Sequence, residues 1–207
     1  LRRLTLATPF HPGPAGKGFP RRSSHVGQES RNPKKRKERE RRMKLVIAEK
    51  KSVATAIAQA LCAAPVQRDG CYECGQLLVT WAQGHLIDLA MPEDYKDRDW
   101  RKWSLDTLPV DPSGHWQWKI SEERGAGSRY RQIVRLIRRT DVDCLVNACD
   151  PDREGEAIFR RIADMEGSHK PELRLWVASL EAEAIQAAWR AMKPESEYQG
   201  LAWSAEI

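Results

Sequence analysis

Two acidic groupings stand where the chain could do chemistry. Glu49 follows the apolar run Leu45-Val46-Ile47-Ala48 and is itself followed by Lys50. Much later a second apolar run, Cys144-Leu145-Val146-Asn147-Ala148, leads through Cys149 into Asp150-Pro151-Asp152-Arg153-Glu154-Gly155. Four carboxylates drawn together repel one another, and a hard divalent cation that prefers oxygen relieves the repulsion. Mg²⁺ suits such a set, because it takes one or two carboxylates, keeps several waters and completes its shell with phosphate oxygens. The chemistry indicated is metal-assisted phosphoryl transfer. Asp152 also has a plainer reading as the N-cap of a helix beginning near Glu154, since the free N–H groups and dipole of a helix start attract carboxylates. The compound arrangement tips the balance toward a site. Lys50 and Arg153 put positive charge beside the acids, as a phosphodiester requires and a cap does not. Gly155 leaves the backbone open to close approach by a ligand.

For these residues to meet, the two apolar runs must be strands whose ends lie side by side. Short apolar runs of this length read as buried strands. After the first, Ser52 is the expected N-cap of a helix with Val53, Ile57, Ala58 and Leu61 on one face. Residues 72–83 read as a hairpin turning at Gly75-Gln76, with Leu77, Leu78, Val79 and Trp81 in the returning strand. Tyr130, Ile133, Val134 and Ile137 share a helical face before the second run, and Ile158, Ile162 and Met165 share one after it. A strand near 173–177 and a helix bearing Ile185, Ala188, Trp189 and Met192 complete the pattern. Strands alternating with amphipathic helices predict an α/β fold, a mainly parallel sheet flanked by helices. Right-handed crossovers place the carboxyl ends of its strands, and so both acidic groupings, along one edge. Residues 90–120 are rich in Pro, Asp and Trp without a clear period, and read as an irregular insertion lying over the domain. Trp100, Trp103, Trp116 and Trp118 imply that it packs on something.

Charge divides the chain more sharply than its totals suggest. The 207 residues carry 35 Lys+Arg against 29 Asp+Glu, a net +6. Residues 1–42 alone hold 13 of the basic and 3 of the acidic residues, a local net of +10, so the chain from Met43 onward is at −4. A nucleic-acid function inferred from bulk basicity would therefore rest on the wrong segment. Residues 1–42, punctuated by Pro and Gly and ending in a Lys/Arg run, cannot bury enough apolar surface to order themselves and are expected to be disordered. They read as a nucleic-acid-binding arm or, in the preferred reading, as sequence upstream of a natural start at Met43. No run approaches the roughly 18 apolar residues of a membrane span, and the N-terminus lacks the apolar stretch of a secretory signal. Five cysteines do not suggest a disulfide framework, and a reducing, intracellular compartment suits them. Cys71 and Cys74 have the spacing of half a zinc site but lack a second pair.

These residues carry a family resemblance. Leu45 to Lys50 together with Asp150-Pro151-Asp152-Arg153-Glu154-Gly155-Glu156 resemble the Toprim domain of type IA DNA topoisomerases, most closely the topoisomerase III branch. Val79-Thr80-Trp81-Ala82-Gln83-Gly84-His85-Leu86 is similar to a stretch of that branch, as are Pro92 to Tyr95, Trp103 to Pro109 and Leu180 to Met192. The resemblance implies a Rossmann-like Toprim domain over 43–193, with 194–207 beginning the connection to a further domain. It implies that Glu49 handles protons at the scissile phosphate and joins the metal site, and that Lys50 stabilises negative charge there. Asp150, Asp152 and Glu154 would bind Mg²⁺. Lys50, His85, Arg153, Arg174 and Ser179 would contact single-stranded DNA. The implied activity is ATP-independent single-strand cleavage and rejoining, for relaxation or decatenation, in a bacterial, cytoplasmic, nucleoid-associated enzyme that works with a helicase and not at a membrane.

Departures from the family pattern are few. Lys51 stands where many relatives have proline, a small change at a first helical turn. None of Tyr72, Tyr95, Tyr130 or Tyr198 lies in a context like that of the family's nucleophile, so the remaining topoisomerase domains would have to supply it and the chain alone is not expected to cut DNA. A stand-alone Toprim nuclease or primase-like phosphotransferase is the alternative, and a DNA-binding fragment driven by the basic arm is a third.

Overall fold

A strand with other strands on both sides and helices on both faces has almost no wet surface, which is why Leu45 to Ala48 of the strand Met43–Ala48 read as an uninterrupted apolar run, with Lys44 half-buried near its start. In the computed structural model, which describes residues 42–95, 100, 104–110 and 116–205, this strand (β1) lies at the centre of the sheet. The other strands are β2 (Val66–Arg68), β3 (Cys71–Cys74), β4 (Leu77–Trp81), β5 (Ile87–Leu89), β6 (Trp118–Ile120), β7 (Val142–Ala148), β8 (Glu172–Arg174) and β9 (Lys193–Pro194). Seven of them form one sheet in the order β2-β3-β4-β1-β7-β8-β9. The inner four, β4, β1, β7 and β8, are parallel, whereas β2, β3 and β9 add antiparallel edges. The expected fold class holds, with the parallel character confined to the centre.

Alternating side chains of the inner strands feed two cores. Leu45, Ile47, Leu78 and Leu145 point to the face covered by α2 (Ala126–Ile137) and α3 (Arg153–Glu166), where Tyr130, Ile133, Ile137, Ile158, Phe159 and Ile162 meet them. Val46, Ala48, Val79 and Val146 point to the opposite face, against Ala54, Ile57 and Ala58 of α1 (Lys51–Leu61) and Ile185 of α4 (Ala182–Arg190). The period of 2 along each strand thus makes a three-layer α/β/α sandwich. Among the described residues, no helix is long and apolar enough to cross a membrane.

Several local expectations change. Helix α1 starts earlier than Ser52 suggested: Lys50 is its N-cap, without a side-chain cap, and its carbonyl accepts the first bond from the Ala54 N–H at 3.0 Å. The chain has to turn as soon as it leaves β1, so the tight exit overrides the better capping residue. The insertion is not wholly irregular, because β5 and β6 pair antiparallel (Ile87↔Ile120, Leu89↔Trp118) and clamp its two ends together. Strands of three residues are too short to show a period. Tyr95 meets Trp100 edge to face at 5.2 Å, while Trp116 is exposed and Trp103 lies outside the described residues, as does the basic segment 1–41. The boundary expected at 193 divides β9, whose Lys193 and Pro194 pair with Arg174 and Leu173. Proline is tolerated there because β9 is an edge strand. Beyond it, α5 (Gln199–Ser204) packs on α3.

The cysteines also depart from expectation. Cys62, at the end of α1, is disulfide-bonded to Cys74, with their Cα atoms 6.2 Å apart. The hairpin carries Cys74 back beside α1, a proximity that spacing alone does not reveal. Cys71 faces the opposite core, as residues three apart on a strand must. The C-x-x-C pair therefore does not converge.

Candidate functional site

The ends of β1, β4 and β7 are level, since Ala48 is in register with both Trp81 and Ala148. Each strand therefore releases its next residues onto the same edge of the sheet. From β1 come Glu49 and Lys50, from β4 the turn through His85, and from β7 Asp150 and the first turn of α3. The β4 turn is fastened to β1, because the carbonyl of Glu49 accepts from the N–H groups of Gln83 at 2.7 Å and Gly84 at 3.4 Å. Gln83 and Gly84 both take positive φ, 77° and 88°, to present both amides to one oxygen. For Gln83 this left-handed backbone is a strained choice.

Lys50 joins the two acidic groupings. Its Nζ donates to Asp150 Oδ2 at 2.8 Å and lies 3.3 Å from Glu49 Oε1. The hydrogen bond to Asp150, with the charge of Glu49 next, raises its pKa above the ordinary lysine value and keeps the ammonium charged. On the far side of the edge, His85 Nε2 is 3.1 Å from Glu154 Oε2. Asp152 is the N-cap of α3, its Oδ1 accepting from the Gly155 N–H at 2.8 Å. The capping reading is thus realised, and it occupies one carboxylate oxygen of two. Arg153 is exposed at the first position of α3, and Ser179 is exposed on the loop before α4, where its Oγ accepts from the Glu181 N–H at 3.3 Å.

Gly155 and Arg174 differ from the roles expected of them. Gly155 does not serve the approach of a ligand: a Cβ there would lie 2.2 Å from the Asp150 carbonyl oxygen, so glycine lets α3 begin hard against its own incoming loop. Arg174 does not face DNA. It is 1% exposed, and each of its three nitrogens donates inward. Nε bonds to Glu156 Oε1, Nη2 to the Asp150 carbonyl at 2.9 Å, and Nη1 to the carbonyls of Asn147, Cys149 and Leu175 at 3.2, 2.9 and 3.0 Å. On an inner strand one residue before the sheet edge, its side chain meets the start of α3 before it could reach solvent.

Beneath the edge lies a buried polar group that sequence patterns did not single out. Asn147 Nδ2 donates at 2.9 Å to both Glu156 Oε2 and Glu195 Oε1, and Asn147 Oδ1 accepts from the Cys149 N–H at 3.0 Å. Burial, together with the neighbouring Glu156, pushes the pKa of Glu195 up to about 8, so its carboxyl holds a proton at neutral pH. As a carboxylate its buried Oε2 would lack a partner. Protonated, it can donate to Glu156. The one signal in the sequence was Asn147 itself, a polar residue within an apolar run.

The donor set suits a hard cation, being all carboxylate oxygen, and the Lys50 ammonium already bridges two of its members. The side chains do not form a ready cage. Among the described residues, no three of His, Cys, Asp or Glu are grouped so as to hold a metal ion.

Three comparisons bear on the chain. A family model described as the Toprim domain matches residues 44–180. A protein named DNA topoisomerase 3 from Staphylococcus aureus (strain USA300), and one named Putative DNA topoisomerase 3 from Staphylococcus aureus (strain bovine RF122 / ET3-1), are each 37% identical over 161 residues. The match covers 78% of this chain and 22% of theirs, so the chain spans about a fifth of the length of these relatives. Full-length topoisomerase I from Thermotoga maritima aligns with a TM-score of 0.45 and 19% identity, over 72% of this chain and 21% of that one.

Proposed function

The chain belongs to the Toprim family, and from that premise we propose that it is the Toprim part of a type IA DNA topoisomerase of the topoisomerase III kind. Its role is to supply the metal-binding and acid/base groups with which the whole enzyme cuts and rejoins one DNA strand. The observation that carries this reading is Lys50 lying between Glu49 and Asp150 at the ends of adjacent parallel strands, with Asp152 and Glu154 on the same edge.

Toprim domains bind a metal ion, and Mg²⁺ is the ion of this reading because an all-oxygen donor set suits a hard cation. Asp150, Asp152, Glu154 and Glu49 would hold it, and when bound it supplies positive charge to a phosphate oxygen. The remaining work belongs to the chain. In this reading Glu49, whose side chain is only 14% exposed, gives a proton to the leaving 3′ oxygen and takes it back on rejoining. Lys50 offsets charge that develops on the phosphate, and is long and exposed enough to leave Asp150 when a strand arrives. Arg153 and His85 flank the acids and orient the backbone. The substrate of this reading is single-stranded DNA. A helicase that separates strands, and a cytoplasmic, nucleoid-associated setting, belong to it as well.

A chimera tests the proposal. In it, residues 43–205 replace the matching region of the Staphylococcus aureus DNA topoisomerase 3. It should relax supercoiled DNA with Mg²⁺, and Lys50→Ala or Glu49→Gln should slow cleavage by at least about a hundredfold, the scale of a lost acid/base or charge-stabilising group. A folded chimera that binds DNA but cleaves no strand would overturn it. Steady metal-dependent hydrolysis by the isolated chain, abolished in Asp150→Ala, would instead establish the nuclease alternative.

A further inference from the structure

We propose that Arg174 is a positioning residue for the carboxylate loop, and that Glu195, from the segment beyond β9, completes its support. What the loop positions rests on the metal-site reading above; the support itself stands on geometry alone.

The chain leaving β7 must bring Asp150 and Asp152 to one side of the sheet edge. Its backbone there is held by groups that belong to other elements. Arg174, on β8, donates to the carbonyls of Asn147, Cys149 and Asp150. The Asp150 carbonyl also accepts from the Asp152 N–H at 2.8 Å, so one oxygen ties the two aspartates to the same guanidinium. From the other direction, the Cys149 N–H is held by Asn147 Oδ1. Both clamping side chains are fixed in turn, because Glu156 accepts from Arg174 and Asn147, and Asn147 also donates to Glu195. Arg174, Asn147, Glu156 and Glu195 are all at most 4% exposed, so neither water nor salt competes with these bonds.

The residue type matters. A guanidinium presents five N–H groups in a rigid plane, enough to serve a carboxylate and several carbonyls at once, whereas an ammonium presents three from a single point. Arg174→Lys keeps the charge and loses the fork. A partner behind the ligands of a metal changes affinity by roughly 10- to 100-fold when removed. The second buried arginine provides a control of like character away from the loop: Arg129 donates to the carbonyls of Gly70 and Trp81 and to Thr80 under the hairpin.

The experiment titrates Mg²⁺ into the full 207-residue chain and its variants by calorimetry, with thermal unfolding alongside. Arg174→Lys and Glu195→Ala should weaken Mg²⁺ binding about tenfold or more. Glu195→Gln should retain wild-type affinity, because its amide can still accept from Asn147 and donate to Glu156. Arg129→Lys should lower the melting temperature without changing Mg²⁺ affinity. Unchanged affinity in Arg174→Lys, or losses in the Arg174 and Arg129 variants that simply follow melting temperature, would overturn the proposal. If the wild-type chain takes no Mg²⁺, the metal reading fails, and hydrogen exchange then decides the clamp. Faster exchange confined to residues 148–155 in Arg174→Lys supports it, and unchanged exchange there overturns it. Should Arg174→Lys not fold, Glu195→Ala carries the same two readouts.

Discussion

Arg153 and Arg174 look alike in the sequence, each a basic residue near the end of a strand or the start of a helix, yet one is exposed and the other is buried with all three of its nitrogens committed. Charge signs are legible from sequence, but burial is set by what other elements cover. The same holds for Glu195, an unremarked acid after a proline that becomes a buried carboxyl with its pKa pushed up to about 8. That shift has a sign that can be measured. In the unfolded chain Glu195 loses its proton near its ordinary value of 4.5, whereas the folded chain keeps it to about 8. Between those limits the folded state binds more protons, so this residue's contribution to stability falls as pH rises from about 4.5 to 8 and is level above that. Glu195→Gln, which cannot ionise, should flatten that part of the profile. Melting temperatures across that range and about one unit to either side would check it, and equal slopes in both proteins would refute it.

At the scale of elements, the junction of β7 and α3 does two jobs with the same few residues. Asp152 caps α3 through one oxygen, and in the proposed function it also ligates the metal. The two roles separate by substitution. Asparagine caps as well as aspartate, so Asp152→Asn should hold stability within about 0.5 kcal/mol while weakening Mg²⁺ binding. Asp152→Ala should cost about 1 kcal/mol as well. Gly155→Ala should be far worse, because its methyl would meet the Asp150 backbone at 2.2 Å and α3 or the loop would have to move. A loss above about 3 kcal/mol is expected, measured by urea unfolding of each variant. A mild Gly155→Ala phenotype would mean that the junction is looser than described. The strands β1, β4 and β7, the helices α1 to α4 and the hairpin were legible in the sequence because each exceeds one period of its pattern, whereas the strand read near 173–177 is Glu172–Arg174 and the short α5 was not read. β2, β5, β6 and β9 are too short for any period to register, and the start of α1 was displaced by the tight exit from β1.

For the whole molecule, the distribution of charge separates affinity from chemistry. The +10 of residues 1–42 lies almost wholly outside the described structure, while the −4 remainder carries the candidate site. If the arm supplied DNA affinity, deleting residues 1–42 would flatten the dependence of log affinity on log salt, by about 0.7 in slope for each single-strand phosphate that the arm neutralises. If the arm is only upstream sequence, binding to a single-stranded oligonucleotide at several salt concentrations should give the same slope with and without it. A large fall in slope on deletion would return the arm to a role in binding.

The sequence by itself determined the alternation of strand and helix, the parallel centre of the sheet and the family, because these follow from local periodicity and from a string of residues read in order. It also placed Glu49 and Asp150 at strand ends, since an apolar run that stops at an acid marks where a buried strand reaches water. Only the tertiary structure decided that Lys50 bridges them, that Cys62 finds Cys74, that Gly155 accommodates its own backbone, and that Arg174 and Glu195 lie beneath the loop instead of on the surface. Each of those facts depends on which distant elements meet. Such meetings are governed by packing across the sheet, where residues far apart in sequence become neighbours and no local pattern marks them as such.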